Sequence, residues 1–181
     1  IKESSAPLHS ELALLNDLAK KLTQERFTKG AISLDQEEVR FVLAPDGTPI
    51  KVEVKERGDS NRLIEEFMLL ANKKVAEVLS TTKKKGVPDN ISIYRVHDLP
   101  SKEKMADLAA FLRSIGLKAP LVDGIIPSRE LNKLLQNLSG KDTMADTVHR
   151  AVIRSMAKAV YSTKNIGHYG LAFEYYTHFT S

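Results

Sequence analysis

The chain has 181 residues, 42% of them hydrophobic, enough to bury a core, and no cysteine. That excludes a disulfide framework, thiolate catalysis and a cysteine-ligated zinc site. A net charge of +4 and a pI near 9.2 suit a polyanionic partner, or plain solubility. No apolar run reaches membrane-span length and residues 1–6 lack signal-peptide architecture, so a cytoplasmic chain without a membrane partner is expected.

In chain order, Leu12, Leu15, Leu18, Ala19 and Leu22 recur at helical spacing and predict an amphipathic helix over residues 8–27, broken at Gly30. Residues 39–43 and 50–54 flank the turn sequence Pro45-Asp46-Gly47-Thr48 and predict a β-hairpin. Gly58-Asp59-Ser60 supplies caps for a helix running to about residue 79. A basic loop holding Lys83, Lys84 and Lys85 follows, then a strand over residues 91–96. Ser101 caps a helix with Met105, Leu108, Ala109 and Leu112 on one face, closed by Gly116. Two more helices are expected over residues 128–138 and 143–159, and the remainder is extended, with breaks at Gly167 and Gly170. The sum is an α+β fold, several helices packed on short, mostly antiparallel strands. It has no repeat, low-complexity tract or internal domain boundary.

The second helix carries the sharpest local pattern. Phe67, Met68, Leu69, Leu70 and Ala71 are apolar in succession, so protein is expected on every face of that stretch. Glu65 and Asn72 are seven apart and differ by only about 20° around the axis, with Arg62 near the same side. A polar stripe through a buried helix has to be satisfied. Either it faces a ligand, or Glu65 pairs with Arg62 and fixes packing. Glu66, about 100° further round, is expected outward, paired with a lysine.

Arg150, Arg154 and Lys158 recur every four residues and would line one helix face, either neutralising phosphates or facing solvent. His97 follows the third strand, and His168 stands between Gly167 and Tyr169, where glycines let the backbone approach a ligand closely. Tyr169, Tyr175, Tyr176 and Phe179 could stack on bases, but their alternation points mainly to core filling in a strand. The last fifteen residues are a dense aromatic and hydroxyl-bearing run, of the kind found inside a larger domain.

Five motifs stand in one order: residues 30–34 with 37–41, the Arg62-Leu-Ile-Glu-Glu-Phe-Met-Leu-Leu-Ala-Asn72 helix, Tyr94-Arg-Val-His-Asp98, Arg154-Ser-Met-Ala-Lys-Ala-Val-Tyr161, and Gly167-His-Tyr-Gly-Leu171 leading to Tyr176-Thr-His-Phe-Thr-Ser181. Together they resemble the RNB catalytic domain of the ribonuclease II and ribonuclease R family, nearest its bacterial ribonuclease R branch. The resemblance implies that residues 1–181 are part of that domain, truncated at both ends. Its parent would be a processive 3′-to-5′ exoribonuclease hydrolysing single-stranded RNA to nucleoside 5′-monophosphates.

Glu65 is then the catalytic-site carboxylate. Arg62, Asn72, His97, Arg154, His168, Tyr169, Thr180 and Ser181 are RNA-contacting candidates. Mg²⁺ is the implied cofactor, with ligands expected upstream of Ile1 because the aspartates here are scattered. The isolated fragment is therefore expected to be inactive. Its partners would be RNA and the remaining domains of the parent, S1-type and cold-shock-type domains among them. Leu34 stands where family members with a characterised RNA path place an aromatic clamp. The rival readings are a non-catalytic RNA-binding or scaffold relative, and an unrelated helical interaction domain.

Overall fold

The computed structural model describes residues 7–33, 39–54, 57–81, 92–138 and 142–180. Five helices (α1 His9–Thr28, α2 Asp59–Thr81, α3 Lys102–Ser114, α4 Ser128–Leu138, α5 Asp142–Ser155) are joined by two antiparallel ribbons. β1 (Val39–Leu43) pairs with β2 (Pro49–Val54), and β3 (Tyr94–Val96) with β4 (Val160–Ser162). One 3₁₀ turn follows at Tyr169–Leu171. The α+β expectation holds. The basic loop at residues 83–85 and Leu34 lie outside the described residues.

The main core lies among α3, α4 and α5. Ser101 Oγ accepts from Lys104 N–H and starts α3, and Gly116 at φ +80° ends it. That register turns Met105, Leu108, Ala109 and Leu112 inward, against Ile126, Leu131, Leu134, Val148 and Val152. Each large side chain buried there contributes about 1.5–3 kcal/mol. Asn132 is buried in this core and acts like a peptide group. Its amide donates to Ala31 C=O (2.7 Å) and its carbonyl accepts from Ser33 N–H (3.1 Å). The chain leaving α1 is thereby tied to α4.

α5 stops at Ser155, four residues short of the expected end. Ser155 Oγ returns to Val152 C=O at 2.6 Å, and residues 160–162 are drawn into β4 instead. Lys158 thus lies outside the helix, and the expected Arg150–Arg154–Lys158 helical row ends at Arg154. β3 is also shorter than expected, starting at Tyr94.

α1 packs on α2 through polar groups. Asn16 Nδ2 donates to Asp59 Oδ2 (3.2 Å), Lys20 pairs with the same carboxylate (3.1 Å), and Arg26 pairs with Glu66 (2.5 Å). Leu8, Leu12, Leu14, Leu15 and Leu18 are exposed beside that contact. The β1–β2 hairpin likewise exposes Val39, Phe41, Val52 and Val54, the cross-strand pairs of one face.

Residues 67–71 of α2 are only half-buried, so the helix is not enclosed on every side as its apolar run suggested. Its covered arc runs from Asn72 and Ala76 round to Glu66 and Leu63. The rest looks outward, Ile64 and Val78 included.

Candidate nucleic-acid interface

The site grows from α2 and the segment laid across it. Asn72 is 1% exposed. Its Oδ1 accepts from Phe179 N–H (3.3 Å), Thr180 N–H (3.2 Å) and Thr180 Oγ1–H (3.4 Å), and its Nδ2 donates to Thr180 C=O (3.4 Å) and Tyr176 Oη (3.5 Å). One side chain thus satisfies the backbone of an irregular segment that has no strand partner at that point. Upstream, Tyr175 and Tyr94 pack on Ala76, and Thr177 Oγ1–H donates to Ile93 C=O at 2.7 Å. From Tyr175 near Ala76 to Thr180 at Asn72, the segment runs along α2 toward Glu65.

Glu65 shares the angular position of Asn72 but stands two turns lower, about 10 Å along the axis. It is exposed and borders an open cleft with Arg57, Asn61 and Arg62. The rotational reading of the stripe was therefore sound, while one end of it is covered and the other open. Glu66 reverses its expectation. It is 5% exposed and bound to Arg26, itself 11% exposed, rather than outward on a lysine. The 100° step that turns Glu66 away from Glu65 delivers it to α1, where it and Arg26 line a small cavity with Leu69, Leu70 and Phe173.

Two histidines knit the ribbon to the Gly-rich turn. Gly170 N–H donates to His97 Nδ1 (2.9 Å), so the ring proton is on Nε2, which donates to Ala157 C=O (2.9 Å). A Cβ at Gly170 would stand 2.9 Å from His97 Nδ1, and Gly167 is at φ +80° with Phe173 O 3.2 Å from where its own Cβ would be. The glycines expected to admit a ligand admit this histidine and this carbonyl. His168 Nδ1 accepts from Leu171 N–H (3.2 Å) and caps the 3₁₀ turn. Its ring meets His97 (centroids 5.0 Å) and Tyr176 (5.3 Å) edge-on.

Burial first, then electrostatic interaction with the neighbouring His97 and Arg95, push the His168 imidazole down to about 4. Because the folded value lies below the unfolded one near 6.5, the unfolded chain binds more protons between those pH values. Stability is therefore full above about pH 6.5 and falls as pH drops toward 4, by about 2–3 kcal/mol after discounting the partly exposed ring. Asparagine keeps an acceptor at the capping position and has no proton to gain. His168→Asn is expected to flatten that part of the stability–pH curve, read by denaturant unfolding at pH 4.5, 5.5 and 7. An unchanged slope would refute the assignment.

The other expected contacts separate. Arg154 is exposed on the last turn of α5. Tyr169 is half-buried against the main core, and its buried Oη has no hydrogen-bond partner among the described residues. It lies in the 3₁₀ turn, not the expected strand. Thr180 is held by Asn72, Phe179 is exposed, and Ser181 lies outside the described residues. Arg62, Glu65, Asn72 and Thr180 therefore lie along one face of α2. His97, His168, Tyr169 and Tyr176 form a second group around Gly170. Spacing alone missed three participants: Tyr176 as a partner of Asn72 and His178, and Arg95 and Tyr161, which meet only across the β3–β4 pairing. Among the described residues no three acidic or histidine side chains converge to hold a metal. No helix among them is long and apolar enough to cross a membrane.

The RNB domain family matches residues 1–181. This chain belongs to that family. The RNB chain is 38% identical to ribonuclease R of Thermotoga maritima over 91% of its length, and 33% identical to ribonuclease R of Escherichia coli over all of it. It spans 22% and 21% of those proteins, about a fifth of each. Its fold matches Mycoplasma genitalium RNase R in complex with ribose-methylated single-stranded RNA at a TM-score of 0.85 and 25% identity, covering 99% of this chain and 27% of that one. Yeast Ssd1, described as a pseudonuclease, shares the fold alone at a TM-score of 0.64 and 20% identity, over 98% of this chain and 22% of Ssd1.

Proposed function

We propose that this RNB chain is part of the catalytic domain of a ribonuclease R-type 3′-to-5′ exoribonuclease. Its parent would hydrolyse single-stranded RNA processively to nucleoside 5′-monophosphates in the cytoplasm. The observation that carries the reading is the RNB match over the whole chain, together with its identity to proteins named ribonuclease R.

In this reading Glu65 is the active-site carboxylate contributed by α2. It stands in an open cleft flanked by Arg57, Asn61 and Arg62, toward which the Asn72-held segment runs. Arginines beside the cleft suit a phosphate backbone. Asn72, His97 and His168 act by holding the segment and the Gly-rich turn in place rather than by exposed contact. Arg154, Tyr169, Thr180 and Ser181 remain candidate RNA contacts. Mg²⁺ is the proposed cofactor. The described residues do not assemble a site for it, so its ligands would come from the rest of the parent and residues 1–181 alone would be inactive. The outward leucines of α1 and the apolar face of the β1–β2 hairpin fit a piece that packs against the remainder of that chain.

The test is hydrolysis of a 5′-labelled single-stranded RNA by the intact parent with Mg²⁺. A ladder shortening from the 3′ end is expected, with Glu65→Ala lowering the rate at least about tenfold, a lost transition-state contribution of about 1.4 kcal/mol or more, while melting stays unchanged. Binding without cleavage would instead favour a non-catalytic relative, a reading the shared pseudonuclease fold keeps in view. Neither binding nor cleavage would refute both.

A further inference from the structure

The face of the β3–β4 ribbon opposite the core carries a pairing that the active-site reading does not use. Arg95 and Tyr161 are direct cross-strand partners. The Arg95 guanidinium carbon lies 5.1 Å from the centre of the Tyr161 ring. Tyr161 is 56% exposed, a large area for a tyrosine that is neither in the core nor hydrogen-bonded among the described residues. Arg95 forms no ion pair among them. A guanidinium over an aromatic face makes a flat, cationic, amphipathic surface.

The chain around the pair is charged on one side only. From Thr147 to Phe173 there is no Asp or Glu, while Arg150, Arg154, Lys158 and Lys164 all fall within it. All four are exposed. None has an ion-pair partner among the described residues. Lys158 and Lys164 bracket Tyr161 on the two sides of β4. Position is set by backbone: Lys164 N–H donates to Ser162 Oγ at 3.0 Å, turning the chain just after the strand. On its inner side the ribbon is anchored, with Tyr94 and Val96 buried on Ala76. Arg95 N–H donates to Tyr176 C=O at 2.9 Å, which joins this surface to the segment that runs toward Glu65.

We propose that Tyr161 and Arg95 form a nucleobase-stacking platform for single-stranded RNA, with Lys158 and Lys164 neutralising the adjacent phosphates. The ring supplies a π-face that any base can use, and the cation above it keeps strand and ring in register with the backbone charge. The proposal rests on the exoribonuclease reading for its choice of RNA, and adds a subsite outside the Glu65 cleft.

The test measures affinity of the intact parent for a short fluorescent oligoadenylate in EDTA, where binding is read without hydrolysis. A matching abasic ribose-phosphate strand is measured in parallel. Tyr161→Ala is expected to weaken oligoadenylate binding roughly tenfold, within the range of about 1–3 kcal/mol per stacked base. Tyr161→Phe is expected to stay within about twofold, and the abasic strand to bind both variants equally. Lys158→Ala and Lys164→Ala should each reduce the log–log salt slope by about 0.7.

If Tyr161→Ala leaves oligoadenylate affinity unchanged while the wild type binds and degrades RNA, the platform is refuted and the exoribonuclease reading stands. If the variant loses thermal stability and weakens both strands alike, the ring packs against protein and the platform is again refuted. If the wild type binds neither strand, the exoribonuclease reading falls as well.

Discussion

Replacing Glu66 with alanine is expected to destabilise the protein by about 3–5 kcal/mol, whereas the same change at its neighbour Glu65 should shift stability by less than about 0.5 kcal/mol. The contrast follows from what each carboxylate faces. Glu66 is 5% exposed and bound to an Arg26 that is nearly as buried, and Arg26 Nε has no hydrogen-bond partner among the described residues. Removing the carboxylate leaves a largely buried guanidinium between α1 and α2 without the counter-charge it is bound to. Glu65 stands in the open cleft, where water replaces any contact that is lost.

The measurement is denaturant unfolding of the intact protein, with hydrogen exchange along α1 and α2 to place the loss. A second variant separates charge from shape. Arg26→Met combined with Glu66→Leu removes both charges at similar volume and is expected to recover most of the stability. A double variant as unstable as Glu66→Ala would show that packing, not the pair, is at stake.

Asn72→Ala is expected to cost about 2–3 kcal/mol and to release the segment around Phe179 and Thr180. The side chain accepts two backbone N–H groups and a hydroxyl, and donates to a carbonyl and a phenol. Alanine removes all five contacts at once, leaving the Phe179 and Thr180 groups without them while the Tyr176 hydroxyl keeps His178 Nδ1. Aspartate is no remedy, because it keeps the acceptors, loses both donors and buries a charge. Hydrogen exchange should show the Phe179 and Thr180 amides losing protection in both variants, while α3–α5 remain protected. Unaltered protection at those two amides would refute the role assigned to Asn72.

Much of this molecule can be read from local chemistry. Ser101 and Gly116 mark α3 almost to the residue, because capping and left-handed backbone are settled by neighbours in the chain. The turn at residues 45–48 marks the hairpin for the same reason. α4, with its apolar positions in one row, falls where periodicity puts it. The rotational relation between Glu65 and Asn72 was also legible, since a helix fixes it. The motif order carries the family, and the whole-chain RNB match agrees with it.

Tertiary structure decided the rest. No local rule could say that Glu66 rather than Glu65 is buried, because the answer depends on Arg26, forty residues earlier in another helix. The leucine row of α1 reads as a core face, yet the polar side of that helix meets α2, where Asn16, Lys20 and Arg26 reach Asp59 and Glu66. The end of α5 follows from β4 pairing with a strand some sixty-five residues upstream. By itself the sequence determined the elements, their caps and the family, all written in residues close together in the chain or in a recognisable order. Which side of each helix is covered, which carboxylate is open, and which aromatic meets which cation were decided by contacts between distant segments, where each partner's environment exists only once the other has been placed.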